Sequence, residues 1–228
     1  MADSYVTVPA LNLNTNTVSF AMWIRPNGPQ LDYTGFLMTR SGTSAGIGYG
    51  GDFSSNRGQL IYTWNNGTTW TFPSGLMIPS DKWSFVAVAI DENNAALYLC
   101  YKDESNADVL LSTNNSTVHI SEAWGGSARI GGDPNGDGRT FNGIVDEVTV
   151  FNRTLSPAEV LDLYRGGGVT PVRLSIERSA PNVILTWPQG VLQEALSVLG
   201  PWANNPAASP YSVLPSGAQK VYRVRVSQ

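Results

Sequence analysis

Three groups of residues in this 228-residue chain have types and spacings suited to chemistry. The first lies in GGDPNGDGRTFNG, from residue 131. Asp133, Asn135 and Asp137 place a side-chain oxygen at every second position and Gly138 follows, the first half of a D-x-[DN]-x-[DN]-G calcium loop. The twelfth position, where an EF-hand carries a bidentate glutamate, is Ile144, and no helix pattern precedes the loop, which excludes an EF-hand. Three readings stay open: a turn held by Asn and Asp side chains, a calcium loop of another kind, or a sugar contact. The second group is aromatic. Trp64 and Trp70 flank the turn of TWNNGTTW, which reads as a hairpin that sets them side by side, and Trp124 sits in the Gly-flanked SEAWGGS. With Asn65, Asn66, Asp52 and Arg57 they are the candidate carbohydrate-binding residues: an indole stacks on the C–H face of a sugar ring while a few polar groups orient it. The competing reading is that each tryptophan is packed. The third group is one histidine and one cysteine. His119, in the polar, strand-like STVHISEAW, is the only partner a Ser or Cys nucleophile would have, and Cys100, in LYLCY, reads as a small packed hydrophobe. Together they cannot make a usual zinc site, and neither is expected to be catalytic.

Bulk properties narrow the classes. A net charge of −4 with no basic run argues against nucleic acid as a partner. The apolar runs are far short of a membrane span, and no charged-then-apolar leader opens the chain. MADSYVTV runs straight into a strand-like pattern, so Met1 reads as an added start that leaves native targeting information out.

The elements that must position these groups are strands. In TVSFAMWIRP, Val18, Phe20, Met22 and Ile24 share one face and Ser19, Ala21, Trp23 and Arg25 the other. Similar runs follow in QLIYTW, KWSFVAVAID, AALYLCY, ARIGG and GIVDEVTVF, separated by Gly/Asn/Ser/Asp turns. The pattern predicts an all-β, antiparallel two-sheet jelly-roll sandwich. Strict alternation in GIVDEVTVF places Asp146 with Ile144, Val148 and Val150, so its carboxylate must be paired or hydrogen-bonded. One short helix is specified by LSPAEVLDLYRGGG: Ser156 as N-cap, Pro157 at the first helical position, Glu159 completing a capping box, and glycines from Gly166 ending it. It is expected to cover one end of the sandwich. The expected domains are residues 1–166, a linker at 167–171, and a small C-terminal β module at 172–228 that leans on the first. In the module, VRLSIE, NVILTW, GVLQEA and KVYRVRV read as strands, with Tyr222, Val224 and Val226 on one face of the last.

FNGIVDEVTVFNRTLSPAEVLDLYRGG resembles the last strand and terminal helix of LamG-like jelly-roll domains of the concanavalin A-like lectin/glucanase superfamily. SFAMWIRP resembles that family's first long strand, DKWSFVAVAIDENNAALYLCY its Trp-led hairpin and ARIGGDP the approach to the last strand. At LCYKDE the chain departs from the family's tight Asn/Asp-Gly turn, so a longer hairpin is expected there. The tail is similar to a small β module that follows such domains in large secreted bacterial proteins. The resemblance implies a jelly roll, commonly carbohydrate binding, and a secreted or cell-surface location, while function itself resides in the site. It also implies that Trp23 and Trp83 are core residues, that Trp187 and Trp202 pack in the tail, and that Asp3 and Asp146 match the positions that hold a structural calcium in some members. The alternative for Asp146 is a carboxylate that accepts backbone N–H groups without metal. The family's glucanases carry an E-x-D-x-E type set on one strand. This chain has none: Asp146 and Glu147 are adjacent and point to opposite faces of a regular strand, and Asp103-Glu104 lies in a turn. The expectation is a non-enzymatic, monomeric carbohydrate-binding module for a polysaccharide or oligosaccharide, appended to a glycoside hydrolase or surface protein. The alternatives are an adhesion or structural domain of a large surface protein and, third, a glycoside hydrolase or lyase.

Overall fold

The computed structural model describes residues 4–40, 44–50, 58–65, 71–136, 138–166, 174–215 and 219–225. The chain divides into two compact units, Met1–Gly167 and Gly168–Gln228. In the first, the strands among the described residues are β1 (Val6–Val8), β2 (Val18–Pro26), β3 (Gly35–Thr39), β4 (Ala45–Tyr49), β5 (Gln59–Trp64), β6 (Phe72–Met77), β7 (Ser84–Ile90), β8 (Asn94–Lys102), β9 (Asp108–Ser116), β10 (Ala128–Ile130) and β11 (Gly143–Phe151). They form a six-stranded sheet in the order β1-β10-β3-β4-β5-β6 and a five-stranded sheet in the order β11-β2-β7-β8-β9. Every pairing is antiparallel, and the two sheets make the expected jelly-roll sandwich.

The alternation in β2 decides the core. Val18, Phe20, Met22 and Ile24 are fully buried between the sheets, where they meet Val86, Val88 and Ile90 of β7 and Ile47, Leu60 and Tyr62 of the opposite sheet. Burying each of these side chains stabilises the fold by about 1.5–3 kcal/mol. The other face of the five-stranded sheet carries small residues, Ala21, Ala87, Ala89 and Cys100, and these let a helix approach closely. That helix, α1 (Pro157–Tyr164), packs Val160 and Tyr164 onto this outer face together with Leu155 just before it, so it covers a sheet face rather than an end of the sandwich. Its capping box is formed as the sequence requires: Ser156 Oγ accepts from the Glu159 N–H, and the Glu159 carboxylate accepts from the Ser156 N–H at 2.8 Å. Helix propagation stops at Arg165, followed by Gly166 in the left-handed region.

Two departures from simple alternation matter. The β8–β9 hairpin is long, as LCYKDE suggested, and is closed by Asp103, whose Oδ1 accepts from the Ser105 and Ala107 N–H groups. In β11 a bulge falls between Asp146 and Thr149, with Glu147 at φ 51°. The extra residue reverses the alternation beyond it. Val145 before the bulge and Val148 and Val150 after it pack toward the core, while Ile144 and Asp146 face out. Asp146 therefore does not share the apolar face expected for it.

The second unit pairs β12 (Ser175–Ser179), β13 (Asn182–Thr186) and β16 (Tyr211–Val213) in one sheet, and β15 (Ala203–Asn204), β14 (Val191–Ala195) and β17 (Val221–Arg225) in another. Leu185, Trp187 and Leu192 form its small core, with Tyr222 and Val224 of β17 against it. Trp202 is half-buried, with the Arg223 guanidinium 4.2 Å above its ring.

Candidate functional site

Trp64 and Trp124 do not form a sugar platform. They are 0% and 1% exposed, their ring centroids are 6.1 Å apart, and Phe20 packs on Trp124 at 5.2 Å. Stacking needs an indole face open to solvent, and both faces here are occupied by core. The β5–β6 hairpin is present, with Tyr62 opposite Phe72, yet its alternation aims Leu60, Tyr62 and Trp64 inward. Asn65 follows at the strand end, half-buried. Trp70, Asn66, Asp52 and Arg57 lie outside the described residues.

His119 sits in irregular backbone after β9 rather than in a strand, and it is buried. Its Nδ1 is 2.9 Å from the Asp91 carbonyl, which can only accept, so Nδ1 carries the proton. Nε2 then accepts from the Tyr62 hydroxyl at 2.9 Å, and that hydroxyl in turn accepts from Asn115 Nδ2 at 2.9 Å. Burial pushes the His119 pKa down and the Tyr62 pKa up. A neutral, buried imidazole with both nitrogens occupied joins chain segments. Cys100 is likewise buried, and desolvation raises its thiol to about 11.

The Asp133 loop is closed by arginine. Arg40 grips Asp133 through Nε at 2.9 Å and Nη2 at 2.7 Å, Arg139 Nη1 adds a bond at 3.0 Å, and the Asn135 N–H donates at 2.9 Å. Burial alone would raise the Asp133 pKa, but these bonds outweigh it and hold the carboxyl below its ordinary value. With two guanidinium groups around its carboxylate, Asp133 holds an ion-paired turn, the first of the three readings open for this loop. Asn135 contributes backbone, and Asp137 lies outside the described residues. Asp146 is exposed at the bulge, where its Oδ1 accepts the Glu147 N–H at 2.8 Å, while Asp3 lies outside the described residues. Among the described residues no group of three His, Cys, Asp or Glu side chains converges as a metal site would require.

A different surface does collect aromatic and polar groups. Helix α1 covers the outer face of the five-stranded sheet as far as Trp23, whose ring lies 5.5 Å from that of Tyr164 and 5.6 Å from that of Phe85. Beyond Trp23 the same face continues through Arg25, paired with Ile144 across β11. The β2–β7 ladder ends where Ile24 pairs with Ser84, and Trp83 is the residue just before it in the chain. Trp83 is 38% exposed and Ile144 51%, so Trp83, expected in the core, is a surface residue. It immediately precedes β7, two residues before Phe85.

Next to this row lies an open groove of about 220 Å³, lined by Arg25, Asn27, Asp81, Asn142 and Ile144 with the backbone of Pro26 and Gly143. Hydrogen bonds hold its walls. The Asn27 N–H donates to the Asn142 carbonyl at 2.8 Å, Asn142 Nδ2 donates to the Asn27 carbonyl at 2.6 Å, and Gln30 exchanges bonds with the Asn142 backbone at 2.7 and 2.9 Å. Gly143 is required by packing: a Cβ there would stand 2.3 Å from the Arg25 carbonyl and 2.7 Å from the Phe141 ring. Arg25 is tied through Nε to the Asp81 carbonyl at 3.3 Å, and Asp81 Oδ1 accepts the Gly28 N–H at 3.1 Å. This arrangement offers donors, an acceptor and flanking apolar surface. Among the lining residues Asp81 is the only carboxylate. Sequence reading missed the groove because Arg25, Asp81 and Asn142 are far apart in the chain. One signal was available: Trp83 shares a strand face with small residues, Ala87 and Ala89, rather than with Val86, Val88 and Ile90.

The concanavalin A-like lectin/glucanases superfamily model for laminin G-type domains matches residues 1–161. No curated protein matches the sequence. Among solved structures, domain 4 of AbnA, an extracellular GH43 arabinanase from Geobacillus stearothermophilus in complex with arabinotriose, superposes with a TM-score of 0.51 at 19% identity, covering 70% of this chain and 71% of that one. A Trypanosoma rangeli sialidase in complex with 2,3-difluoro-KDN gives a TM-score of 0.51 at 14% identity, covering 73% of this chain and 27% of that one. This chain thus spans about a quarter of the sialidase, and at such identities both likenesses concern the fold alone. With its two antiparallel sheets, the helix that follows the last strand and the match over residues 1–161, the chain belongs to the concanavalin A-like lectin/glucanase superfamily.

Proposed function

We propose that the first unit is a non-catalytic carbohydrate-binding module whose site is the groove beside Trp83. The observation that carries this reading is a partly exposed tryptophan, Trp83, two residues along the chain from Asp81, which lines a hydrogen-bonded polar groove. Trp83 supplies the stacking surface, Ile144 extends it, and Arg25, Asp81 and Asn142 orient hydroxyl groups. The arabinotriose held by the AbnA domain of the same fold supports a sugar ligand in general without naming this one. An extracellular, monomeric module appended to a larger protein is part of the same proposal. A structural calcium at Asp3 and Asp146 is kept as a separate proposal, tested by comparing the thermal midpoint in calcium and in EDTA.

The competing reading, an adhesion or structural domain, would be favoured by a surface stripped of tryptophan, and Trp83 argues against that. Affinity electrophoresis over a panel of soluble polysaccharides separates the two. Retardation by one glycan class, lost in Trp83→Ala protein that is still folded by thermal unfolding, is the expected result. Mobility unchanged on every glycan would shift the function to adhesion or structure.

A further inference from the structure

Arg25 and Asp81 line one groove, a cation and an anion in neighbouring walls, yet they form no ion pair with each other. Each is fixed through a different atom. Arg25 uses Nε on the Asp81 carbonyl, which leaves its terminal Nη groups as donors, and Asp81 uses Oδ1 on the Gly28 N–H, which leaves Oδ2 as an acceptor. Both anchors are backbone groups, so the two side chains are held in place before any ligand arrives. Arginine and aspartate this close usually neutralise one another, and here the local bonding keeps donor and acceptor apart.

Resting on the glycan-binding reading, we infer that this groove selects a neutral sugar ring through two adjacent hydroxyls, one donating to Asp81 Oδ2 while both accept from the Arg25 Nη groups. A hydroxyl is donor and acceptor at once, and an adjacent pair matches a guanidinium beside a carboxylate. The formal charges of Arg25 and Asp81 cancel, and the other side chains lining the groove are uncharged. A uronate or sulfate group would gain Arg25 but face the Asp81 charge in the same small space, a juxtaposition that works against binding. The volume of about 220 Å³ is below the ~300–1,000 Å³ of enclosed ligand pockets, so a single ring occupies the groove and the rest of the chain runs over Trp83. Asn142 is held by Asn27 and Gln30 and acts as wall rather than selector.

The test is a charge swap read by affinity electrophoresis. Wild type, Asp81→Asn, Arg25→Gln and Trp83→Ala are run on neutral glycans (β-glucan, xylan, arabinan, galactomannan) and on acidic ones (polygalacturonate, alginate), each variant checked for a cooperative thermal transition well above the assay temperature. Wild type is expected to bind a neutral glycan and to ignore the acidic ones. Asp81→Asn, which retains an oxygen for Gly28 but removes the charge, should bind the neutral glycan about tenfold or more weakly and gain mobility shift on the acidic glycans. Arg25→Gln should lose the neutral glycan and gain nothing. If wild type binds and Trp83→Ala abolishes it while Asp81→Asn and Arg25→Gln match wild type, or if wild type prefers acidic glycans, the hydroxyl-pair inference falls and the glycan-binding reading stands. If wild type binds nothing, or Trp83→Ala binds as well as wild type, the placement of a glycan in this groove falls and the inference with it.

Discussion

The Tyr62 hydroxyl donates to His119 Nε2 over 2.9 Å, and this contact ties β5 to the irregular segment that follows β9. The tie is reinforced by Trp64 Nε1, which donates to the Ile120 carbonyl at 2.9 Å, and by Asn16 Nδ2, which donates to the His119 carbonyl at 3.1 Å. One wall of the core is thus closed by side chains of β5 reaching across to a segment without regular structure of its own.

This geometry makes stability depend on pH in a stated direction. Burial lowers the folded pKa of His119 below its ordinary value of 6.5, so the unfolded chain takes up a proton more readily than the folded one. The His119 contribution is fully present above about pH 6.5 and is lost progressively as pH falls toward the lower, folded value. Urea unfolding at pH 7.5 and pH 5.0 should show a lower midpoint at the acid end. Tyr62→Phe, which strands Nε2 and the Asn115 amide, should cost about 1–3 kcal/mol at neutral pH.

Asp133 gives a second expectation. Its side chain is fully buried against Arg40 and Arg139. Removing the carboxylate leaves two guanidinium groups facing one another, and Asp133→Ala should destabilise the first unit by about 3 kcal/mol in urea titrations. Because arginine already satisfies the Asp133 carboxylate, calcium should not rescue the variant. A calcium-dependent rise in the wild-type midpoint would point instead to the edge where Asp146 lies.

Two tryptophans separate stability from binding. Trp64→Ala opens the core and should cost about 3–5 kcal/mol, seen as a marked fall in thermal midpoint. Trp83→Ala removes a partly exposed ring and should cost less than Trp64→Ala, about 1–2 kcal/mol, leaving the variant folded. Any loss of glycan affinity in folded Trp83→Ala protein therefore belongs to the site.

Helix α1 can be weakened at its first turn. Ser156→Ala removes the N-cap acceptor and should cost about 1 kcal/mol. Ala87→Leu, beneath α1, should overfill the helix–sheet contact and cost about 1–3 kcal/mol. Both are measured by denaturant unfolding, and neither should alter glycan preference, since neither residue lines the groove.

What the sequence by itself determined was local and periodic. The alternation of Val18, Phe20, Met22 and Ile24 against Ser19, Ala21, Trp23 and Arg25 specified the two faces of β2. The Ser156–Glu159 capping box placed the start of α1, because both depend on neighbours within a few residues. Strand β9 was missed because DVLLSTNNS is a largely exposed edge with little apolar alternation, and β4 because glycine supplies part of AGIGY. Tertiary structure alone decided which aromatic rings reach solvent. Periodicity says that Trp64 and Trp83 each lie on one face of a strand, but not what covers that face. Trp64 is enclosed in the core between the sheets and Trp23 packs with the α1 cluster, whereas Trp83 is partly exposed. The bulge at Glu147 likewise reversed the alternation that had put Asp146 on the apolar face. The groove needed Arg25, Asp81 and Asn142 brought together by antiparallel register, a relation between distant residues that no local spacing encodes.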